Sequence, residues 1–141
     1  MTIAIIDYGA GNLRSVRNTL TYLGADVRTV RTPDDLKGAQ KIVLPGVGAF
    51  GRGMQALDAA GFVAPLKQAA ADGVPLIGIC LGMQFLFEAS DELGQHAGLG
   101  LLPGRVTRFP AGGPKVPHIG WNQLHRRRDD PLLAGVGDGA Y

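Results

Sequence analysis

Gly78-Ile79-Cys80-Leu81-Gly82 is the segment whose residue types and spacing could do chemistry. It joins an apolar run to a helical pattern and sets small residues two places either side of a cysteine. That is the spacing of a nucleophile elbow, G-x-S-x-G, with sulfur in place of oxygen. Such a turn is strained, and glycines around it let backbone pack closely while the nucleophile is held above the sheet. A cysteine at the start of a helix is also favoured as thiolate, because the helix end carries partial positive charge. The backbone N–H of Leu81 is then placed to serve an oxyanion. In most chains a lone cysteine beside an apolar strand is only core; the elbow context reverses that expectation here.

A thiolate nucleophile needs a second oxyanion donor and a general base. Pro45-Gly46-Val47-Gly48 follows another apolar run and would lie at the same carboxyl edge of a sheet, where open α/β sheets bind ligands. A glycine-flanked peptide there can turn its N–H inward, which nominates Val47 or Gly48. The base is harder to find among His96, His118 and His125. His96 sits in a polar stretch and His125 beside Arg126-Arg127-Arg128, so both read as solvated surface residues. His118 belongs to the specialised segment Pro117-His118-Ile119-Gly120-Trp121-Asn122, but no spacing places it near Cys80.

Two other glycine patterns fall short. Gly9-Ala10-Gly11 lacks the third glycine of a dinucleotide fingerprint and has Arg14 in its place. Gly46 to Gly53 has P-loop spacing, yet Arg52-Gly53 replaces the Lys-Ser/Thr pair. No cofactor is expected, and one cysteine excludes both a disulfide and a four-cysteine metal site. The Arg126–Arg128 run is offset by Asp129-Asp130 and has no interleaved aromatics, which argues for a solvated loop and against nucleic acid. Trp121, the single tryptophan, is either a core plug or an interface anchor.

The elements that must position these residues alternate. Thr2–Ile6, Val27–Val30, Lys41–Leu44 and Val74–Ile79 read as strands, the third broken by Pro45-Gly46. Helical spacing runs through Leu13, Val16, Leu20 and Leu23, with Asn12 as cap and Gly24 as stop. It returns from Met54 to Leu57, from Phe62 to Ala70, and after Cys80 through Phe87 or Glu88. This rhythm predicts a parallel sheet with helices on both faces. Beyond Ala97, short pieces such as Arg105–Phe109 and Gln123–His125 suggest small antiparallel strands.

At 141 residues, with 45% hydrophobic and 18% charged positions, the chain fits one domain over residues 1–141. Its net charge of +2 is too small to imply a nucleic-acid or membrane partner. No apolar run reaches a membrane span and the start lacks a basic leader, so a soluble, cytoplasmic protein is expected.

The quoted motifs carry a resemblance. Gly78-Ile79-Cys80-Leu81-Gly82-Met83-Gln84 is similar to the nucleophile motif of class I (triad) glutamine amidotransferases. Asp7-Tyr8-Gly9-Ala10-Gly11-Asn12, Pro45 to Phe50 and Pro117 to Asn122 narrow it to the glutaminase subunits of imidazole glycerol phosphate synthase, from histidine biosynthesis. The resemblance runs from Thr2 to the last residue and implies an α/β, flavodoxin-like, doubly wound and mostly parallel sheet. It implies that Cys80 attacks the side-chain amide of glutamine, releasing ammonia and leaving a glutamyl thioester. Gly46, Val47, Gly48 and Leu81 would surround the oxyanion, and Gln84 would help hold glutamine. The ammonia would pass to a (βα)8-barrel cyclase in a heterodimer, with Asn12, Lys115, His118, Trp121 and Asn122 on or near the partner face. The family's catalytic His, followed by Pro-Glu near the C-terminus, has no counterpart up to Tyr141, nor do the last strands of its sheet. Little or no glutaminase activity is therefore expected of these 141 residues alone, and an exposed edge makes aggregation or partner dependence the expectation. Other readings are an amidotransferase serving a different synthase, a catalytically dead binding module, or a cysteine hydrolase using His118 as base.

Overall fold

The computed structural model describes residues 2–141, which form two compact units, one ending at Arg108 and one running from Phe109 to Tyr141. In the first, strands β1 (Thr2–Ile6), β2 (Asp26–Val30), β3 (Lys41–Gly46) and β4 (Leu76–Cys80) form an all-parallel sheet in the order β2-β1-β3-β4. Helix α1 (Leu13–Tyr22) joins β1 to β2, whereas α2 (Phe50–Ala59) and α3 (Val63–Ala71) join β3 to β4. The chain steps in opposite directions from β1 and from β3. Right-handed crossovers therefore put α1 on one face and α2 and α3 on the other. The strand order reverses between β1 and β3, the switch point of a doubly wound, flavodoxin-like sheet.

Hydrophobic burial holds this arrangement together. Ala4, Ile6, Val30, Ile42 and Leu44 share one cluster with Phe50, Leu57, Phe62, Leu66 and Phe85, and all ten are essentially inaccessible. Each large side chain of this kind contributes about 1.5–3 kcal/mol. Phe85 anchors the centre, edge-on to Phe50 at 5.3 Å and to Tyr8 at 6.2 Å. Helix α1 starts where expected: Asn12 Oδ1 accepts the Ser15 N–H at 3.2 Å. Its stripe Leu13, Val16 and Leu20 is only half-buried, and Tyr22 stands exposed beyond it.

Four expectations need correction. Strand β3 continues through Pro45 and Gly46, paired with Ile79 and Cys80. Pairing with β1 ends at Val43, so beyond that point β3 is bonded on one side only and tolerates a proline as an edge strand does. The helix after Cys80 is a single turn, α4 (Leu81–Gln84), and Phe87–Ser90 is strand β5. A longer helix would need the Phe85 and Leu86 carbonyls, but these accept N–H groups of Leu99, Leu101 and Leu102 at 2.7–2.8 Å. The small second sheet, in the order β6-β5-β7, pairs β5 antiparallel with β6 (His96–Ala97) but parallel with β7 (Leu102–Val106), so it is mixed and its last strand ends before Phe109. Gln123–His125 forms no strand; Leu124 exchanges backbone bonds with Ala140 and Gly139 at 2.7 and 2.8 Å.

The second unit holds one short 3-10 helix, Pro131–Leu133, where Asp130 Oδ1 accepts the Leu132 N–H at 3.0 Å. The basic run is compensated as its sequence suggests, with Arg126 and Arg128 each 3.9 Å from Asp129 and Asp130 respectively. No helix among the described residues is long and apolar enough to cross a membrane.

Replacing Phe62 by alanine is expected to cost about 3–5 kcal/mol in urea unfolding, while Tyr22→Ala changes stability by less than about 0.5 kcal/mol. Equal shifts of the two midpoints would contradict this core.

Candidate active site at the elbow between β4 and α4

Cys80 closes β4 and precedes α4 with φ +56° and ψ −117°, a left-handed-side conformation rarely adopted by a side-chain-bearing residue. A strained residue at a strand-to-helix junction is what the elbow spacing anticipates. Its neighbours are small because the backbone leaves no room. A Cβ on Gly82 would overlap the Leu44 carbonyl of β3, and one on Gly78 would overlap the Met83 backbone. Gly46 completes the arrangement: a Cβ there would lie 2.7 Å from the Gly82 nitrogen and 2.9 Å from Leu81 Cβ. The elbow is thus seated directly on β3.

This seating brings part of the expected site together. Gly46 is the ladder partner of Cys80, so Val47 and Gly48 leave β3 beside the cysteine, and both are exposed. Leu81 is buried and supplies the first N–H of α4, while Gln84, half-buried, ends the same turn. The Cys80 thiol is itself exposed. Because α4 is only one turn long, it carries little of the macrodipole that a longer helix would have offered a thiolate.

The remaining expected residues lie elsewhere. Asn12 caps α1. Lys115, His118, Trp121 and Asn122 belong to the second unit, where all four are exposed. There the His118 ring nitrogen Nε2 meets Asn122 Nδ2 at 2.9 Å, and its ring stands edge-on to Phe109. Trp121 is 86% exposed, which overturns the core-plug alternative. His96 is not a free surface residue: half-buried, its ring fills the space left open by Gly51 at the start of α2. Among the described residues no histidine is hydrogen-bonded to Cys80, and no His/Cys/Asp/Glu group is arranged to hold a metal ion.

Two residues escaped the sequence reading. Glu92 Oε2 accepts the Phe50 N–H at 2.6 Å, and the Glu92 N–H donates to the buried Ser90 Oγ at 3.1 Å. This carboxylate caps α2, whose own N-cap Ala49 makes no side-chain hydrogen bond because a methyl group cannot accept one. It thereby fixes the far end of the Val47–Gly48 loop. The bond spans 42 positions, so no local signal could reveal it. The second is Tyr8, buried beneath Gly46.

A family model described as glutamine amidotransferase class-I matches residues 4–140. The chain belongs to this family. Among curated relatives of this class-I chain, imidazole glycerol phosphate synthase subunit HisH of Desulfitobacterium hafniense (strain Y51) is 54% identical over 139 residues, covering 99% of this chain and 65% of that protein. The subunit of the same name from Moorella thermoacetica is 52% identical over 97% of this chain and 65% of its own length. The chain thus spans about 65% of the length of these relatives. A crystal structure of a glutamine amidotransferase shares the fold, with a TM-score of 0.65 at 22% identity over 75% of this chain and 56% of that one.

Gly82→Ala is expected to destabilise the protein by about 3 kcal/mol, the upper end of ordinary overpacking, because the Leu44 carbonyl cannot withdraw without opening the β3–β4 ladder. Urea unfolding checks this; a loss below about 0.5 kcal/mol would show that the elbow is not seated on β3.

Proposed function

We propose that this chain is the glutamine-hydrolysing part of an imidazole glycerol phosphate synthase. The observation that carries this reading is Cys80, exposed and strained at the junction of β4 and α4 with the Gly46 peptide as its ladder partner. The names of the similar proteins support it.

In the reaction, the Cys80 thiolate adds to the side-chain carbonyl carbon of glutamine. The tetrahedral oxyanion lies between the Leu81 N–H and the Val47–Gly48 peptide, where fixed donors favour charge that develops only in the transition state. Collapse breaks the C–N bond; the nitrogen takes a proton from a general acid and leaves as ammonia, giving a glutamyl thioester. Attack by water on the thioester frees glutamate and restores Cys80. Gln84, one turn beyond the nucleophile, helps hold the substrate. Residues 1–141 by themselves turn over little glutamine, since among the described residues no histidine is bonded to Cys80 to move these protons.

Ammonia passes to a (βα)8-barrel cyclase, and Asn12, Lys115, His118, Trp121 and Asn122 contribute to the face that meets it. In support, Ile119 and Trp121 are 87% and 86% exposed, an apolar pair left in water within the second unit.

Ammonia release from glutamine, measured with the cyclase present, tests the first part. In a chain of the relatives' full length, Cys80→Ser is expected to lower the rate by about 10⁴-fold or more, and retention of activity would overturn the nucleophile. A rate for residues 1–141 equal to that of a chain of the relatives' full length would overturn their low activity. Trp121→Ala is expected to weaken cyclase binding by roughly thirtyfold or more, as loss of a buried aromatic anchor does. Unchanged affinity in a titration would remove Trp121 from the partner face.

A further inference from the structure

Away from the elbow, a cleft of about 760 Å³ opens between α1 and β2. Strands β1 and β3 separate it from β4 and Cys80. Its size is that of a small-molecule site. Three arginines line it: Arg14 and Arg17 from α1, and Arg31 just past the end of β2. The one acid in its wall is Asp7, and none of the ten residues of α1 is acidic. Asp7 arranges the cleft more than it neutralises it. Its carboxylate is 17% exposed and accepts the Gly9 N–H through Oδ1 at 3.2 Å and the Arg31 Nε through Oδ2 at 3.0 Å. Held by Nε, Arg31 keeps its two terminal nitrogens without a partner among the described residues. Arg14 and Arg17 pair with no carboxylate among those residues either. Like charges three places apart cost a helix some stability, and a bound anion would reverse that cost.

We propose that this cleft binds a small organic phosphate, through Arg14, Arg17 and the Asp7-oriented Arg31. Guanidinium forks match phosphoryl oxygens two at a time. Three of them around one cavity present more donors than a single carboxylate can meet, whereas a diphosphate or a doubly charged phosphate ester can engage them all. Thr21 and Thr29 add hydroxyl donors to the same walls. Tyr22, 90% exposed, stands at the cleft and offers its ring to the organic part of the ligand. The concave shape favours a small ligand over a flat protein or nucleic-acid surface. Nothing in this site depends on the reading of Cys80 as nucleophile.

Calorimetric titration with inorganic pyrophosphate tests this and needs no glutamine turnover. The expected result is saturable binding of one pyrophosphate per chain with a Kd below about 1 mM. Arg17→Gln and Arg31→Gln are each expected to weaken it about tenfold, the effect of losing a hydrogen bond between charged groups. Both arginines are exposed, so both variants keep the fold. Arg127→Gln removes the same charge from the second unit and is expected to leave the affinity unchanged. Absence of saturable binding would overturn the proposal. Equal weakening in Arg17→Gln, Arg31→Gln and Arg127→Gln would overturn it too, by reducing the effect to overall charge. A third outcome is that pyrophosphate does not bind while Arg17→Glu lowers affinity for the cyclase. The cleft would then be a docking face for an acidic protein surface, and the phosphate site would fall.

Discussion

The rest of the site depends on one close approach: the first turn of α4 lies with backbone against backbone on β3. Gly82 has no side chain because the Leu44 carbonyl occupies that space, and Gly46 has none because Gly82 and Leu81 occupy its own. A β4-to-α4 connection pressed this tightly cannot turn in an ordinary conformation, and Cys80 takes up the difference at φ +56°. The strain is held by the five-residue ladder between β3 and β4 and by the core under α4, where Leu81 and Phe85 are buried. Strand pairing thus sets the position of the thiol, and the same pairing brings the Val47–Gly48 peptide alongside it.

A second constraint acts from the far side of that peptide. Glu92 draws the start of α2 toward the end of β5, and Ser90 orders Glu92 in turn. The loop carrying the proposed oxyanion donors is therefore clamped at both ends, by the Cys80 ladder and by a carboxylate. Preorganisation of this sort is what a transition-state donor needs, because it does not have to reorient as charge develops. On the other flank, β4 is the outermost strand of its sheet, and Ile77 and Ile79 are 46% and 40% exposed. An uncharged, apolar edge strand is prone to pairing with another chain.

Much of this was legible in the residues. Alternating apolar runs gave the parallel sheet, Asn12 and Gly24 framed α1, and the spacing around Cys80 located the elbow. What stayed hidden depended on contacts distant in sequence. The pattern after Cys80 reads as a long helix, and only the claim of Leu99–Leu102 on the Phe85 and Leu86 carbonyls cuts it to one turn. Pro45 reads as a strand breaker, but β3 has already lost its β1 partner there. Trp121 could not be assigned from its neighbours, since an aromatic in a Gly/Pro-rich segment is buried or displayed according to tertiary context alone.

The central claim is that strand geometry makes Cys80 a nucleophile directed at glutamine. The most direct measurement is covalent capture by a glutamine analogue carrying a chloroketone in place of the side-chain amide, followed by mass spectrometry of the digested protein. The account predicts one adduct, on the peptide containing Cys80, formed more slowly when glutamine is present in excess. Labelling that glutamine does not slow, or no label on Cys80 in the folded protein, would contradict it.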